Sequence, residues 1–476
     1  MARPVCFYIC DMTLRRIGIL AALLAAVCAA GCSPSAPEDV REDVPEIIGP
    51  WPEGNPGVFR VLVGDPLKIS VLYTPSQTAT AVWYLDGKEA GRGKDFSYTP
   101  EAGGEHLLRL EVSTRAGIAV KEAKILVEDP ALAPTWDIHK GVNIGNWISQ
   151  SSKRGTDRDK AITESHIRKI AAMGFDHIRL PVDEEQLFTE AGELDRECLA
   201  LVKRTVDYCQ RNGLRVLLDL HIIRSHHFND KENPLWTDPV EQEHFLDMWK
   251  KIDAEMHAYP ADLLAYEPLN EPVEPAEEKS AAWNALFNRF ILQIRETDRE
   301  RVLVIEANRW GGYKYVSQLD IPADDPNLML QMHFYEPHLM TAYQASWNKF
   351  ANLNFATPMT YPGKLISDAQ FNALTDEEKD LCRNYYRSYD KQVFAGWWKD
   401  AIDFAKKKGL RLLLGEFGCL PNCGIANRNA WLSDVVALCK ENGMPYSYWE
   451  FNHSYGFADK DGNVTAPDIV SILTAD

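Results

Sequence analysis

The chain runs to 476 residues, 45% hydrophobic and 25% charged, ordinary globular material with room for two or three domains, which excludes wholesale disorder. Its 51 basic against 69 acidic side chains leave a formal net charge of -18. That balance speaks against nucleic acid or an anionic membrane surface as the main partner and fits a neutral substrate.

The chain opens on a leader. Arg15 and Arg16 precede an apolar run, Ile17 to Ala30, that ends in small residues. This is the order of an export signal, and the run is too short to span a bilayer comfortably. Its end, Ala29-Ala30-Gly31-Cys32-Ser33, resembles the lipobox of bacterial lipoproteins, with Ala29 where that motif usually has Leu. The resemblance implies that residues 1–32 form a lipoprotein-type signal peptide and that Cys32 is acylated as the mature N-terminus. The protein is then expected to be exported and to touch a membrane only through that lipid, in the periplasm or at the cell surface; plain secretion is the other reading. Residues 33–50 begin as a Pro-rich acidic linker with nothing to pack. Of the 10 Cys, six lie beyond the leader. Cys198 and Cys209 fall on one expected helix, about 16 Å apart, and cannot bridge each other while it stays helical. Cys419 and Cys423 share a loop and could bridge. No second Cys or His pair stands at metal-site spacing, so a metal is not expected.

From Trp51 to Asp129 short β runs alternate with turns, among them Phe59 to Val63, Lys68 to Tyr73, Ala81 to Leu85, His106 to Val112 and Lys124 to Val127. Asp86-Gly87 and Gly103-Gly104 punctuate them, and six or seven strands suggest a small all-β sandwich over residues 51–129. The stretches Trp83 to Gly87 and Gly104 to His106 resemble immunoglobulin-like and polycystic-kidney-disease-like modules attached to bacterial glycosidases. That resemblance implies either glycan binding or a spacer, with the spacer favoured.

From His139 the texture changes to strand, loop, helix, repeated to the end. Strand-like runs end near Trp147, Pro181, His221, Glu271, Asn308, Tyr335, Glu416 and Trp449. Between them lie helical patterns such as Ile162 to Met173, Arg196 to Asn212, Phe245 to Met256 and Ala281 to Thr297. Eight such units predict an α/β domain over residues 139–476, a (β/α)8 TIM barrel. An insertion, roughly His338 to Asp390, separates the sixth and seventh strands. Its Trp347, Phe350, Phe355 and Tyr361 either line a cleft or pack the insertion itself.

In such a barrel the C-terminal strand ends converge on one face. They carry Arg179, His221, Asn270 with Glu271, His333 with Tyr335, Glu416 and Trp449. Two glutamates in that company are hard to explain as structure. From Lys140 to Trp449 the chain resembles glycoside hydrolase family 5, the cellulase family of clan A. Gly141 to Trp147 match its opening strand, Asn270-Glu271-Pro272 its acid/base motif, and Glu416 in Gly415-Glu416-Phe417-Gly418 its nucleophile. The resemblance implies catalysis by Glu271 and Glu416, with substrate-binding roles for Arg179, His221, Asn270, His333, Tyr335 and Trp449. Arg179 is expected to lower the pKa of Glu416, and the charge of Glu416 to raise that of Glu271. Glu267 and Glu450 are read as structural, and His226 and His227 as subsite residues of a flexible loop. The stretch Ile222 to His227 departs from the Pro- and Gly-bearing loops of many members, which leaves the subsites open.

The activity implied is retaining, endo-acting hydrolysis of β-1,4-glucans. A β-mannanase, an exo-acting β-glucanase or a β-glucosidase are the alternatives within the family, and a catalytically silent glycan-binding lipoprotein is the alternative outside it. A polysaccharide or oligosaccharide is the expected partner, and the chain is expected to act as a monomer. No phosphate loop or nucleotide fingerprint stands out, so no cofactor is implied.

Overall fold

A computed structural model describes residues 44–49, 51–52, 57–128, 136–275, 279–322 and 325–475. The signal peptide, Cys32 and most of the linker lie outside the described residues. The chain divides into two compact units between Val127 and Glu128.

The first unit is all β. A five-stranded sheet runs in the order Gly57–Leu62, Gly117–Glu128, Gly104–Thr114, Thr80–Leu85, Lys88–Arg92. Two two-stranded sheets pair Glu46–Gly49 with Leu72–Thr74 and Leu67–Ser70 with Asp95–Tyr98. Alternation does the sorting: Leu108, Leu110 and Val112 point inward, while the residues between them stay partly exposed. They meet Ile69, Phe96 and the fully buried Trp83, whose ring stacks on Phe96 with centroids 5.1 Å apart. The run expected as one strand, Lys68 to Tyr73, is two. It breaks at buried Val71 and changes partner strand, which is one reason more strands form than the turn signals suggested.

The second unit is a closed barrel of eight parallel strands, β1 Lys140–Asn143, β2 His177–Val182, β3 Arg215–Leu220, β4 Leu264–Glu267, β5 Leu303–Glu306, β6 Leu328–Phe334, β7 Arg411–Phe417 and β8 Tyr446–Tyr448. Helices such as Arg196–Arg211, Pro239–Met256, Ala281–Thr297, Lys391–Lys408 and Ile425–Glu441 connect them. The strand period of two builds the interior in layers. Leu217, Ala265, Val304, Met329 and Leu413 form an apolar layer together with Trp136 and Ile138. Two residues further along β3 to β6 stand Asp219, Glu267, Glu306 and Gln331, all fully buried. This polar layer therefore lies directly above an apolar plug. On β7 the alternation is broken on purpose of position: the β6–β7 register shifts between Met332 and His333, so that His333 faces Glu416. Gly415 makes this possible, since a Cβ there would lie 2.4 Å from the Gln331 side chain.

Candidate active site

Arg179 is the hub. Its Nε and Nη2 donate to the two oxygens of Glu267 at 2.7 and 2.6 Å, a planar fork on a carboxylate. Nη1 donates to Glu416 Oε1 at 2.6 Å and to Asn143 Oδ1 at 3.0 Å, and Nη2 to Asn270 Oδ1 at 2.8 Å. Asp219 Oδ2 lies 2.9 Å from Nη2. A lysine has too few donors for this set. Glu267 is thus occupied in holding Arg179, in line with a structural role.

Glu416 receives a donor on each oxygen, Arg179 on Oε1 and the Tyr335 hydroxyl on Oε2 at 2.9 Å. Both contacts favour the carboxylate. Burial acts the other way and is the larger effect: it pushes the Glu416 pKa above its ordinary value, with Arg179, His221 and Tyr335 pulling it back. The expectation that Arg179 holds Glu416 low is corrected to this extent, because desolvation outweighs one shared cation.

Glu271 stands four residues past the end of β4, not at the strand's edge. The strand stops at Glu267 because Pro268 has no N–H for the ladder. Its backbone is left-handed, φ +46°, and its N–H donates to Glu306 Oε2 at 3.0 Å. Its Oε1 lies 3.2 Å from His333 Nδ1. Burial first, and then the charge of Glu416, hold the Glu271 carboxyl well above the usual range. One carboxylate oxygen each from Glu271 and Glu416 and a ring nitrogen of His333 all lie within 4.8 Å of one another.

The remaining side chains surround this pair. His333 is kept neutral, its pKa pushed well down by burial and by Arg179. His221 is brought to about 4 by the same two causes; its Nδ1 meets Asp219 Oδ2 at 2.7 Å and its Nε2 the amide of Gln150 at 2.9 Å. The His221 ring lies parallel to Trp449, centroids 5.7 Å apart, so it backs that indole. Asn270 turns its oxygen to Arg179, and its buried Nδ2 has no partner among the described residues. Glu450 packs beneath Trp449 and accepts from Asn146 at 2.6 Å, a structural placement. His226 is fully buried and accepts from the N–H of Val273 at 3.1 Å. It therefore props the loop that carries Glu271 and is no subsite residue, contrary to expectation.

Two residues escaped the sequence reading. Glu306 closes β5 and bonds the backbone of Glu271; its signal was an acid ending an apolar run, Leu303 to Ile305. Trp310 is 43% exposed and left-handed, φ +59°, with its N–H on the Pro272 carbonyl and its Nε1 on that of Phe228 at 2.8 Å. An exposed indole held by left-handed backbone and by contacts next to Glu271 suits a binding platform. In the insertion the two readings divide by residue. Phe350 and Tyr361 are buried, the latter stacked on Phe394 and bonded to Asp434, whereas Trp347 is 63% exposed and faces Tyr455 at 6.4 Å. Cys419 and Cys423 lie side by side as buried thiols, sulfurs 3.4 Å apart.

Two groups, Glu271 with His333 and Glu416, and Glu267 with Glu306 and His333, have the spacing to hold a cation. The guanidinium of Arg179 already bonds Glu267 and Glu416 and supplies positive charge there, so the donor set fits a hydrogen-bonded network better than a metal centre.

A family model described as cellulase (glycosyl hydrolase family 5) matches residues 139–454. The chain is 30% identical over 339 residues to endoglucanase C of Acetivibrio thermocellus, which spans 70% of this chain and 97% of that protein. It is 26% identical over 309 residues to cellodextrinase A of Ruminococcus flavefaciens, 64% of this chain and 83% of that one. Among solved structures, a hyperthermophilic endo-β-1,4-glucanase in complex with substrate aligns at TM-score 0.56 and 25% identity, over 71% of this chain and 97% of its own.

Proposed function

The chain belongs to glycosyl hydrolase family 5, and from that premise we propose an endoglucanase-like, retaining glycosidase with Glu416 as nucleophile and Glu271 as acid/base. The observation that carries the reading is the pair's separation. One oxygen of each carboxyl lies within 4.8 Å of the other, in keeping with the roughly 5 Å separation of double displacement rather than the ~6.5–9.5 Å of an inverting pair.

Glu416 attacks the anomeric carbon while Glu271 passes its proton to the departing oxygen. The Glu416 charge disappears into the ester, and with it the largest charge effect that keeps Glu271 protonated. Glu271, left as a carboxylate by that transfer, then takes a proton from water, and the incoming hydroxyl releases Glu416. The free Asn270 Nδ2 is placed to donate to a sugar hydroxyl, Trp449 floors the attacked sugar, and Trp310 receives the leaving sugar beside Glu271.

A reducing-sugar screen over carboxymethyl-cellulose, mixed-linkage glucan, xyloglucan, mannan and laminarin tests the activity, with the product anomer read by NMR. Cleavage of β-1,4-glucan with a rapid fall in viscosity and the β-anomer first is expected. A first-formed α-anomer overturns double displacement, mannan as the best substrate makes the enzyme a mannanase, and no hydrolysis at all leaves a binding protein.

The same proposal places the enzyme outside the cytoplasmic membrane, acylated at Cys32, acting as a monomer, with the β unit as an immunoglobulin-like spacer. Arg15, Arg16, the run to Ala30 and the small residues before Cys32 support the export part. Labelling with radioactive palmitate checks it: Cys32→Ser should lose the label and leave the membrane fraction.

A further inference from the structure

Four buried carboxyls, those of Asp219, Glu267, Glu306 and Glu416, and the partly exposed one of Glu271 surround one permanent cation, Arg179. Three of them touch that cation; Glu271 and Glu306 do not, and the histidines beside them are neutral. Double displacement assigns work to Glu271 and Glu416 and leaves Glu306 without any. Yet Glu306 is fully buried, and its Oε2 accepts the N–H of Glu271 at 3.0 Å and the amide of Gln331 at 3.2 Å. Among the described residues its Oε1 has no hydrogen-bond partner; it lies 3.4 Å from His333 Nδ1 and fits only because residue 311 is glycine, since a Cβ there would lie 2.3 Å from it.

We propose that Glu306 is a positioning residue for the acid/base, a neutral carboxylic acid whose Oε2 holds the left-handed backbone of Glu271 and thereby aims its carboxyl at the leaving oxygen. A left-handed non-glycine residue needs such a tie, because its own backbone preference opposes it. An acid serves there because an uncharged carboxyl accepts the N–H without adding another negative charge beside Glu271. Burial, then Glu267 and Glu271, hold the Glu306 pKa well above the ordinary range, which agrees with a proton that stays on it through the cycle.

The inference rests on the reading of Glu271 as acid/base, and leaving-group dependence separates the two. The probes are 4-methylphenyl and 2,4-dinitrophenyl β-cellobiosides, the first needing a proton on departure and the second hardly so. Glu306→Gln keeps shape and acceptor, so kcat/KM on both and the alkaline limb of its pH profile should match the wild type. Glu306→Asp keeps the acid but falls short of the N–H; it should lose kcat/KM about 10- to 100-fold on the methylphenyl glycoside and less than about threefold on the dinitrophenyl one. A Gln variant that loses activity or shifts that limb, or an Asp variant like the wild type, overturns the proposal. If Glu271→Gln itself shows no leaving-group dependence, the parent reading fails instead, together with this one.

Discussion

The two sides of the cleft use the same residue type for opposite ends. On the β7 side Glu416 meets only donors, a guanidinium on one oxygen and a phenol on the other. On the β4–β5 side Glu271 meets a neutral imidazole and, through its backbone, another carboxyl; no Arg or Lys pairs with it among the described residues. Desolvation is the largest effect on both and raises the pKa of both. The difference lies in what touches the oxygens, and it decides which glutamate ionises first.

The most severe break is Glu416→Ala. Hydrolysis of cellulose derivatives should fall by about 10^4-fold or more, with the thermal melt within a few degrees of the parent; a collapsed melt would make Glu416 a structural acid. Glu271→Gln should cost about 10^2- to 10^4-fold on unactivated substrates, with azide restoring turnover of a dinitrophenyl glycoside. Azide giving no rescue counts against a general acid/base there. Arg179→Lys tests the donor-rich side. One ammonium cannot fork onto Glu267 and reach Glu416 as well, so urea denaturation should register a loss of about 2–4 kcal/mol.

A gentler change sharpens the contrast. Tyr335 donates to Glu416 and so favours its charged form; Tyr335→Phe removes that help and raises the Glu416 pKa. With Glu416 as the proposed nucleophile, attack needs it ionised, so the acid limb of the kcat/KM profile should move to higher pH, while the optimum rate falls less than about tenfold. An alkaline limb that moves instead would exchange the two roles. The smallest effect is expected from deleting residues up to 128, which should leave turnover of soluble cello-oligosaccharides unchanged, since every side chain of the site comes from the barrel unit.

Much of the barrel was legible in the sequence because its elements are local. Apolar runs bounded by Gly and Pro predict strands, 3.6-residue periodicity predicts helices, and Ala281–Thr297 forms where that period placed it. Of the eight site residues, all converge on one face of the barrel, since strand ends do so by topology. Misjudged or left open were the residues whose task depends on a neighbour remote in sequence. His226 looks like a loop histidine until Val273 is found on its Nε2. Trp347 and Phe350 cannot be told apart until one is exposed and the other buried.

The order of residues suffices to read the kind of scaffold and the side chains gathered at its strand ends, because periodicity and strand-end placement are short-range properties. Their protonation follows from contacts that exist in the folded chain alone. The Glu271 that a strand pattern places near an edge lies beyond it, in a left-handed turn tied to Glu306 thirty-five residues away, and the charge it must hold or lose depends on Glu416 across the barrel. Electrostatic effects of that kind depend on distance and burial, which a linear order of residues does not contain.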